Sequence, residues 1–310
     1  MTPTSIRRLS IRPSLLLLMV GTGVGRAATA QVTAPLVLRL PASPRSFGFG
    51  DAFVGGSGSD AVFSNPSQIG VRTGLSLAAA RYRSAGTEAS LASSTRLGRF
   101  AVAAFARWLD YGTSGFPTRP DDLTQRGDQD GASLAAGGAI ATTLLGFRVG
   151  GAISHVEERV GNVHGGVPAF DVGISKELDW LTVGAVVSHL GRHLDMAGTR
   201  ADLPTRVGLG ATTSRYSFST YFDVAASAAV FRERDGTIAP AGGIEVTYEP
   251  VSGWTASVRV GARRVDQSRL PGLQPFTVGA SLGLDRFSLD YGFEAYRGLG
   301  AAHRFGIRIQ

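Results

Sequence analysis

The sequence predicts an all-β protein: a transmembrane antiparallel β-barrel of about fourteen strands, with an N-terminal segment lying in its lumen as a hatch. Three observations predict it. Apolar and small or polar residues alternate with period two from Gly74 to the C-terminus, tight and long connections alternate along the chain, and a glycine-rich stretch that fits no nucleotide loop precedes the first strand.

Residues 1–30 read as a secretory signal peptide. Arg7, Arg8 and Arg12 form a basic n-region, Leu15 to Val20 a short apolar core, and Ala28-Thr29-Ala30 a cleavage site, so the mature chain is expected to start at Gln31. The apolar run is too short for a permanent span, and no later segment reaches about 18 consecutive apolar residues. Export permits disulfides, yet cysteine is absent, which leaves burial and a closed hydrogen-bonded lattice to supply stability. The net charge of +7 raises nucleic acid as a partner. The arginines, however, are spread along the chain without an RNP, zinc or helix-turn-helix pattern, so no nucleic acid is expected and outer-membrane lipid is the better match.

Residues 31–72 are expected to form the hatch. Within "FGFGDAFVGGSGSDAVFSNPSQIG", Gly48 and Gly50 begin a dinucleotide-like pattern, but Phe53 stands where the third glycine belongs. A Walker loop is excluded because Lys176 is the only lysine of the chain. A wide barrel has a lumen its own side chains do not fill, and this segment could occupy it. The hatch motif is Gly48, Gly50, Phe53, Asp60, Phe63, Asn65 and Pro66. Glycine permits turns at positive φ, Asn65-Pro66 bends the chain into the first strand, and Asp60 or Asn65 is expected to reach inward groups among Arg206, Arg259 and Arg304.

Residues 73–310 form the barrel, with strands near 74–84, 87–96, 99–110, 131–143, 146–157, 167–177, 180–190, 203–213, 215–228, 238–249, 253–264, 275–284, 286–296 and 302–310. Trp254, Ala256, Val258, Val260 and Ala262 share one face, as do Phe276, Val278, Ala280, Leu282 and Leu284. Tight links such as Leu97-Gly98, Leu145-Gly146, Ser214 and Asp285 alternate with longer ones, chiefly 111–130, 158–166, 191–202 and 265–274. That pattern places short turns and both mature termini in the periplasm. Trp108, Tyr111, Trp180, Tyr216, Tyr248, Trp254 and Tyr296 fall near strand ends, where interface girdles lie. The inward face is expected to carry Arg206, Asp223, Glu245, Arg259, Arg263, Asp290, Glu294, Arg304 and Arg308. These charges either pair with one another and with the hatch or line a path for an anionic amphiphile.

No enzyme, cofactor or metal site is expected. His189 and His193 lie about 13 Å apart along an extended strand, too far to share an ion. Ser188 and His189 are neighbours on a strand and point to opposite faces, so they form no nucleophile and base pair.

The phrase "GFGDAFVGGSGSDAVFSNPSQIG" resembles the N-terminal signature of the PorV/PorQ family of outer-membrane proteins, relatives of FadL-type channels; the matching positions are Gly50, Ala52, Phe53, Val54, Asp60, Phe63, Asn65, Pro66 and Gly70. "LTVGAVVSHLG" (181–191), "LPTRVGLGA" (203–211) and "LDYGFEAYRGLGAAHRFGIRI" (289–309) resemble later family phrases in the same order. Ser67, Ser188-His189 and the terminal Gln310 depart from the family pattern. The resemblance implies a role in protein secretion or surface attachment of type IX kind, with secreted cargo proteins or other secretion components as partners. The alternatives are a FadL-like channel for hydrophobic compounds and a structural barrel or adhesin.

Overall fold

The structure, a computed structural model, describes residues 35–82, 86–119, 122–196, 198–264, 273–296 and 300–310. The expected signal peptide lies outside the described residues.

Strands form wherever the period-two pattern runs. They are β1 (Gly74–Tyr82), β2 (Gly86–Leu97), β3 (Phe100–Arg119), β4 (Asp122–Leu144), β5 (Phe147–Val160), β6 (Val163–Glu177), β7 (Leu181–Gly191), β8 (Leu194–Met196), β9 (Thr199–Ala201), β10 (Arg206–Thr213), β11 (Tyr216–Ser219), β12 (Phe222–Glu233), β13 (Ile238–Val251), β14 (Trp254–Arg263), β15 (Leu273–Leu284), β16 (Phe287–Tyr296) and β17 (Gly300–Ile309). Each wall strand pairs antiparallel with its neighbours, and two further pairings complete a ring: β7 with β10, and β1 with β17, from Leu75 opposite Ile309 to Tyr82 opposite Ala302. Because β10 also pairs with β12, the ring contains fourteen strands; β11 prolongs the line of β10 along β12, and β8 and β9 form a separate hairpin in the β7 to β10 link.

The ends of the barrel differ. One rim, the near rim, carries both Gly74 and Gln310 and is closed by tight turns at 98–99, 145–146, 252–253 and 285–286. Gly98 (φ 60°), Leu145 (φ 51°), Gly146 (φ 78°) and Asp285 (φ 50°) supply the left-handed residues that such hairpins need. At the other, far rim the expected long links are partly strand. The ladder of β3 and β4 continues from Gly112 opposite Gly131 to Arg119 opposite Asp122, so 112–119 and 122–131 are paired strand, and 158–166 condenses to a turn at Gly161-Asn162. Polar, glycine-containing chain extends a ladder as readily as it loops, because two paired backbones satisfy each other's hydrogen bonds. Similarly, the turn expected at Ser214 falls at 220–221, since Tyr216 pairs with Val224 and carries the eighth wall strand beyond Ser214.

The register follows the pattern. Val258, Leu282, Leu289 and Phe305 are exposed on the outer face, whereas Ser257, Thr277, Ser281 and Asp290 are buried on the inner one. Trp180, Tyr216, Tyr248 and Trp254 are exposed at the near rim, and Trp108 is exposed on the outer wall. Tyr111 departs from the expected girdle. A register shift between Asp110 and Gly112 (φ 67°) turns its ring inward, where the hydroxyl donates to Glu158 Oε1 at 3.1 Å. The side chain of Tyr296 lies outside the described residues.

Placing arginine at Val258 is expected to lower the stability of the refolded protein in lipid vesicles by about 2–4 kcal/mol, because the side chain would face hydrocarbon. Arginine at Val251, on the near-rim turn, should change it by less than about 0.5 kcal/mol. Denaturant titration of both variants checks this, and equal losses would contradict the register.

Candidate functional site

Residues 35–72 contain short helical pieces rather than strands. A five-residue helix α1 (Pro44–Gly48) starts at Ser43, whose Oγ accepts from the backbone N–H groups of Arg45 (3.2 Å) and Ser46 (3.3 Å), with Pro44 at the first helical position. Three 3-10 turns cover Leu36–Leu38, Ser59–Phe63 and Pro66–Gln68. Asn65 caps the last of them by accepting from Ser67 N at 3.1 Å, and Pro66 stands at its start.

The segment packs against the inner faces of wall strands at positions where the wall has no Cβ. A Cβ on Gly243 would stand 2.6 Å from Phe49 Cα, one on Gly292 2.7 Å from Phe47 Cδ1, and one on Gly306 2.9 Å from Pro44 Cγ. On the opposite arc, Gly150 approaches the carbonyl of Pro66, and Gly210 approaches Val54. Gly50 is constrained twice, by a φ of 68° and by the backbone of Ala262. Wall side chains then reach the backbone of the segment. Ser90 donates to the carbonyl of Ala42 (2.8 Å), Arg96 to that of Gly70 (2.6 Å), and Arg107 to that of Leu40 (2.5 Å); Ser227 donates to that of Ala52. Ser67 Oγ donates to Ser175 Oγ of β6 at 2.8 Å.

Under α1 the inner wall is charged. Glu245 accepts from Arg259 Nε (2.5 Å) and Arg215 Nη2 (3.2 Å), and Asp290 accepts from Arg308 Nε (2.5 Å) and Arg259 Nη1 (3.4 Å). A second group joins Glu88 to Arg107 (2.6 Å) and Arg304 (3.2 Å), with the hydroxyl of Tyr82 donating to the same carboxylate at 2.9 Å. Arg263 pairs with Glu294 at 2.7 Å. Arg263 and Arg304 also lie over the ring of Phe47 at 5.6 and 5.5 Å, and Arg259 lies over Phe49 at 5.9 Å. Arg45, on α1 itself, is half-buried near Arg308 and Arg259, and desolvation first and these cations second lower its pKa to about 9.

Toward the far rim the interior becomes apolar. Val37 and Leu38 of the segment pack with Tyr82, Leu109, Val156 and Val167 of the wall and with Leu194 and Leu203 of the β7 to β10 link. Alternation identifies which residues face inward but not what the segment will cover. A cavity of about 170 Å³ lies where the apolar and charged zones meet, its lining mixing Leu36, Leu38, Leu40, Phe231 and Pro240 with Asp51, Arg206, Arg263 and Glu294.

All nine expected inward charges stand on the inner face, and eight are paired within the wall or with the segment. Arg206 meets Asp51 of the segment at 3.6 Å, and the pairs of Glu245, Arg259, Arg263, Asp290, Glu294, Arg304 and Arg308 are those above. Asp223 sits apart at the near rim and accepts from Ser217 Oγ at 2.6 Å. Among the hatch residues, Asp60 and Asn65 turn to the segment itself instead of to Arg206, Arg259 or Arg304. Asp60 accepts from Ser43 Oγ, and Asn65 Nδ2 donates to the Val54 carbonyl at 2.9 Å. The segment folds back on itself and supplies both partners, from 17 residues away for Asp60 and 11 for Asn65. Phe53 stacks on Phe49 (5.7 Å), and Phe63 meets Phe105 edge-on (5.8 Å). Glu88, Arg107 and Asp51 were missed by the sequence reading. The first two share the inward parity of Ser90 and Ala92 or of Phe105 and Leu109, so period two was sufficient to find them. Among the described residues no group of three or more His, Cys, Asp or Glu could hold a metal ion.

Against solved structures, the fold is similar to the Pseudomonas putida toluene transporter TodX (TM-score 0.53, 12% identity, covering 85% of this chain and 95% of that one). It is also similar to the monoaromatic hydrocarbon channel CymD (TM-score 0.57, 13% identity, 86% and 96%). These are FadL-like outer-membrane barrels, and the likeness is one of fold. No protein-family model and no curated protein matches the chain, and no finding is specific to PorV/PorQ proteins.

Glu245→Gln is expected to destabilise the protein by about 3–5 kcal/mol, because Arg259 would remain buried without its closest counter-charge. The midpoint of the heat-induced gel-mobility shift reads this, and an unchanged midpoint would mean that the network contributes nothing.

Proposed function

We propose that the protein is an outer-membrane channel for small hydrophobic compounds, with residues 35–72 as a plug that must shift for passage. The observation that carries this reading is the cavity at the junction of the apolar far-rim interior and the charged wall, bounded by the segment itself. Its volume, about 170 Å³, is near that of an apolar cavity able to take up benzene, about 150 Å³. The names of TodX and CymD, a toluene transporter and a monoaromatic hydrocarbon channel, point to the same class of solute. A compound would arrive at the far rim, rest against Leu36, Leu38 and Phe231, and proceed past the segment. Arg206 and Arg263 beside the cavity are paired with Asp51 and Glu294 of the same lining, which suits an uncharged solute.

The orientation follows from the chain ends. Gly74 and Gln310 share the near rim, and an exported chain would keep that rim in the periplasm, which makes the far rim external. A role in type IX-like secretion draws no support from the comparisons.

Deleting residues 47–66 should leave the barrel assembled, raise its single-channel conductance in planar bilayers, and speed toluene uptake into proteoliposomes. A folded deletion variant with unchanged conductance and uptake would rule out the plug.

A further inference from the structure

The outer wall carries a feature that the channel reading does not use. Across β14 to β17 and β1 to β3 the outward side chains alternate between large and very small, which leaves an apolar groove of about 930 Å³ on the lipid-facing surface. Ala79, Ala89 and Ala280 form part of its floor, and Trp108, Val258 and Phe305 flank it. The register sets these residues in one row: Val258 stands opposite Ala280, Ala280 opposite Tyr291, Tyr291 opposite Phe305, Phe305 opposite Ala79, Ala79 opposite Ala89, and Ala89 opposite Trp108.

One pleat further toward the far rim, the same face turns basic. Arg81 lies two residues beyond Ala79, about 7 Å along the strand, and stands directly opposite His303. His303 Nδ1 meets the hydroxyl of Tyr291, itself a groove residue, at 2.8 Å. Arg81 is exposed, and no ion pair is made to it among the described residues. The nearest outward carboxylate in this row, Asp110, stands beyond Thr87, and its Oδ1 already accepts from Gly112 N at 2.8 Å. On other strands His155 and Arg232 are exposed on the outer face toward the same rim.

We propose that this face binds a phosphorylated, multiply acylated glycolipid of the outer leaflet, with acyl chains in the groove and a phosphate at Arg81 and His303. The two parts match the two ends of such a molecule. An exposed guanidinium with no ion pair among the described residues favours a phosphate, which it meets through two parallel hydrogen bonds. A shallow groove floored by alanine accepts chains that flat or convex barrel surfaces do not retain. A glycerophospholipid has the same kind of phosphate but sits in the opposite leaflet if the far rim is external. The inference therefore rests on that orientation and not on transport.

The test uses the full mature chain refolded in detergent, with binding read by native mass spectrometry. Three probes are titrated: bisphosphorylated lipid A, the same lipid A dephosphorylated, and phosphatidylglycerol. Bisphosphorylated lipid A should bind most tightly, and Arg81→Ser should weaken it about fivefold, the effect of removing one basic residue near an anionic lipid surface. Ala79→Phe, which fills the groove, should weaken all acylated probes, while Ala228→Phe on the exposed outer face of β12 should weaken none. Equal binding of the dephosphorylated lipid or of phosphatidylglycerol, or no effect of Arg81→Ser in a variant that keeps its heat-modifiable mobility, overturns the proposal. A cysteine at Asn162 that fails to react with an impermeant thiol reagent on intact cells also overturns it, whatever the outcome for toluene uptake.

Discussion

In hydrocarbon no water is present to take an unpaired backbone N–H, so the pairing of β1 with β17 is the condition on which everything else in this chain depends. Were that seam open, two strand edges would face lipid along their whole length. Closing it fixes the number of strands, and the number of strands fixes a lumen wider than the inward side chains of the wall can fill. The N-terminal segment answers that second constraint. It brings Phe47, Phe49, Phe53 and Ile69 into the interior, each almost fully buried, in a chain that has no cysteine.

The close fit of segment to wall explains the glycine content better than lumen polarity does. Gly243, Gly292 and Gly306 face inward where α1 and its flanks lie, and Gly150 and Gly210 where the Asn65 turn and Val54 lie. Removing the Cβ lets backbone approach backbone, so that wall serines and arginines can hydrogen-bond to segment carbonyls. The charges beneath α1 are in balance of a local kind: Glu245, Asp290 and Glu88 each serve two arginines. Buried networks of this sort are weak sources of stability but costly to break, and here they hold the aromatic rings of the segment in register through contacts over Phe47 and Phe49.

What could be read in advance was whatever a period of two encodes. The outward positions of Val258 and Leu282, the inward positions of Arg259 and Asp290, the strand number and the tight turn at Leu145-Gly146 all follow from local alternation and turn chemistry. What could not be read was set by contacts distant in sequence. Tyr111 turns inward because of a bulge, Asp60 bonds to Ser43 rather than to the wall, and the apolar far-rim interior arises only when Leu38 meets Leu203. The small cavity is of the same kind, since its walls come from the segment, from β12 to β14 and from the β7 to β10 link, and no local pattern joins them. That residues 47–70 stand apart from the strands was legible too, because they fit no nucleotide loop and precede the first period-two run at Gly74.

The central claim is that the segment blocks the lumen and moves when a solute passes. Ser67 of the segment and Ser175 of β6 have their hydroxyl oxygens 2.8 Å apart, and the chain has no cysteine of its own, so a Ser67→Cys, Ser175→Cys pair can lock the two by a single disulfide. The most direct measurement is toluene uptake into proteoliposomes by this double variant, oxidised and then reduced. Uptake that is abolished in the oxidised protein and restored by reductant is the predicted result; equal uptake in both states would contradict the account.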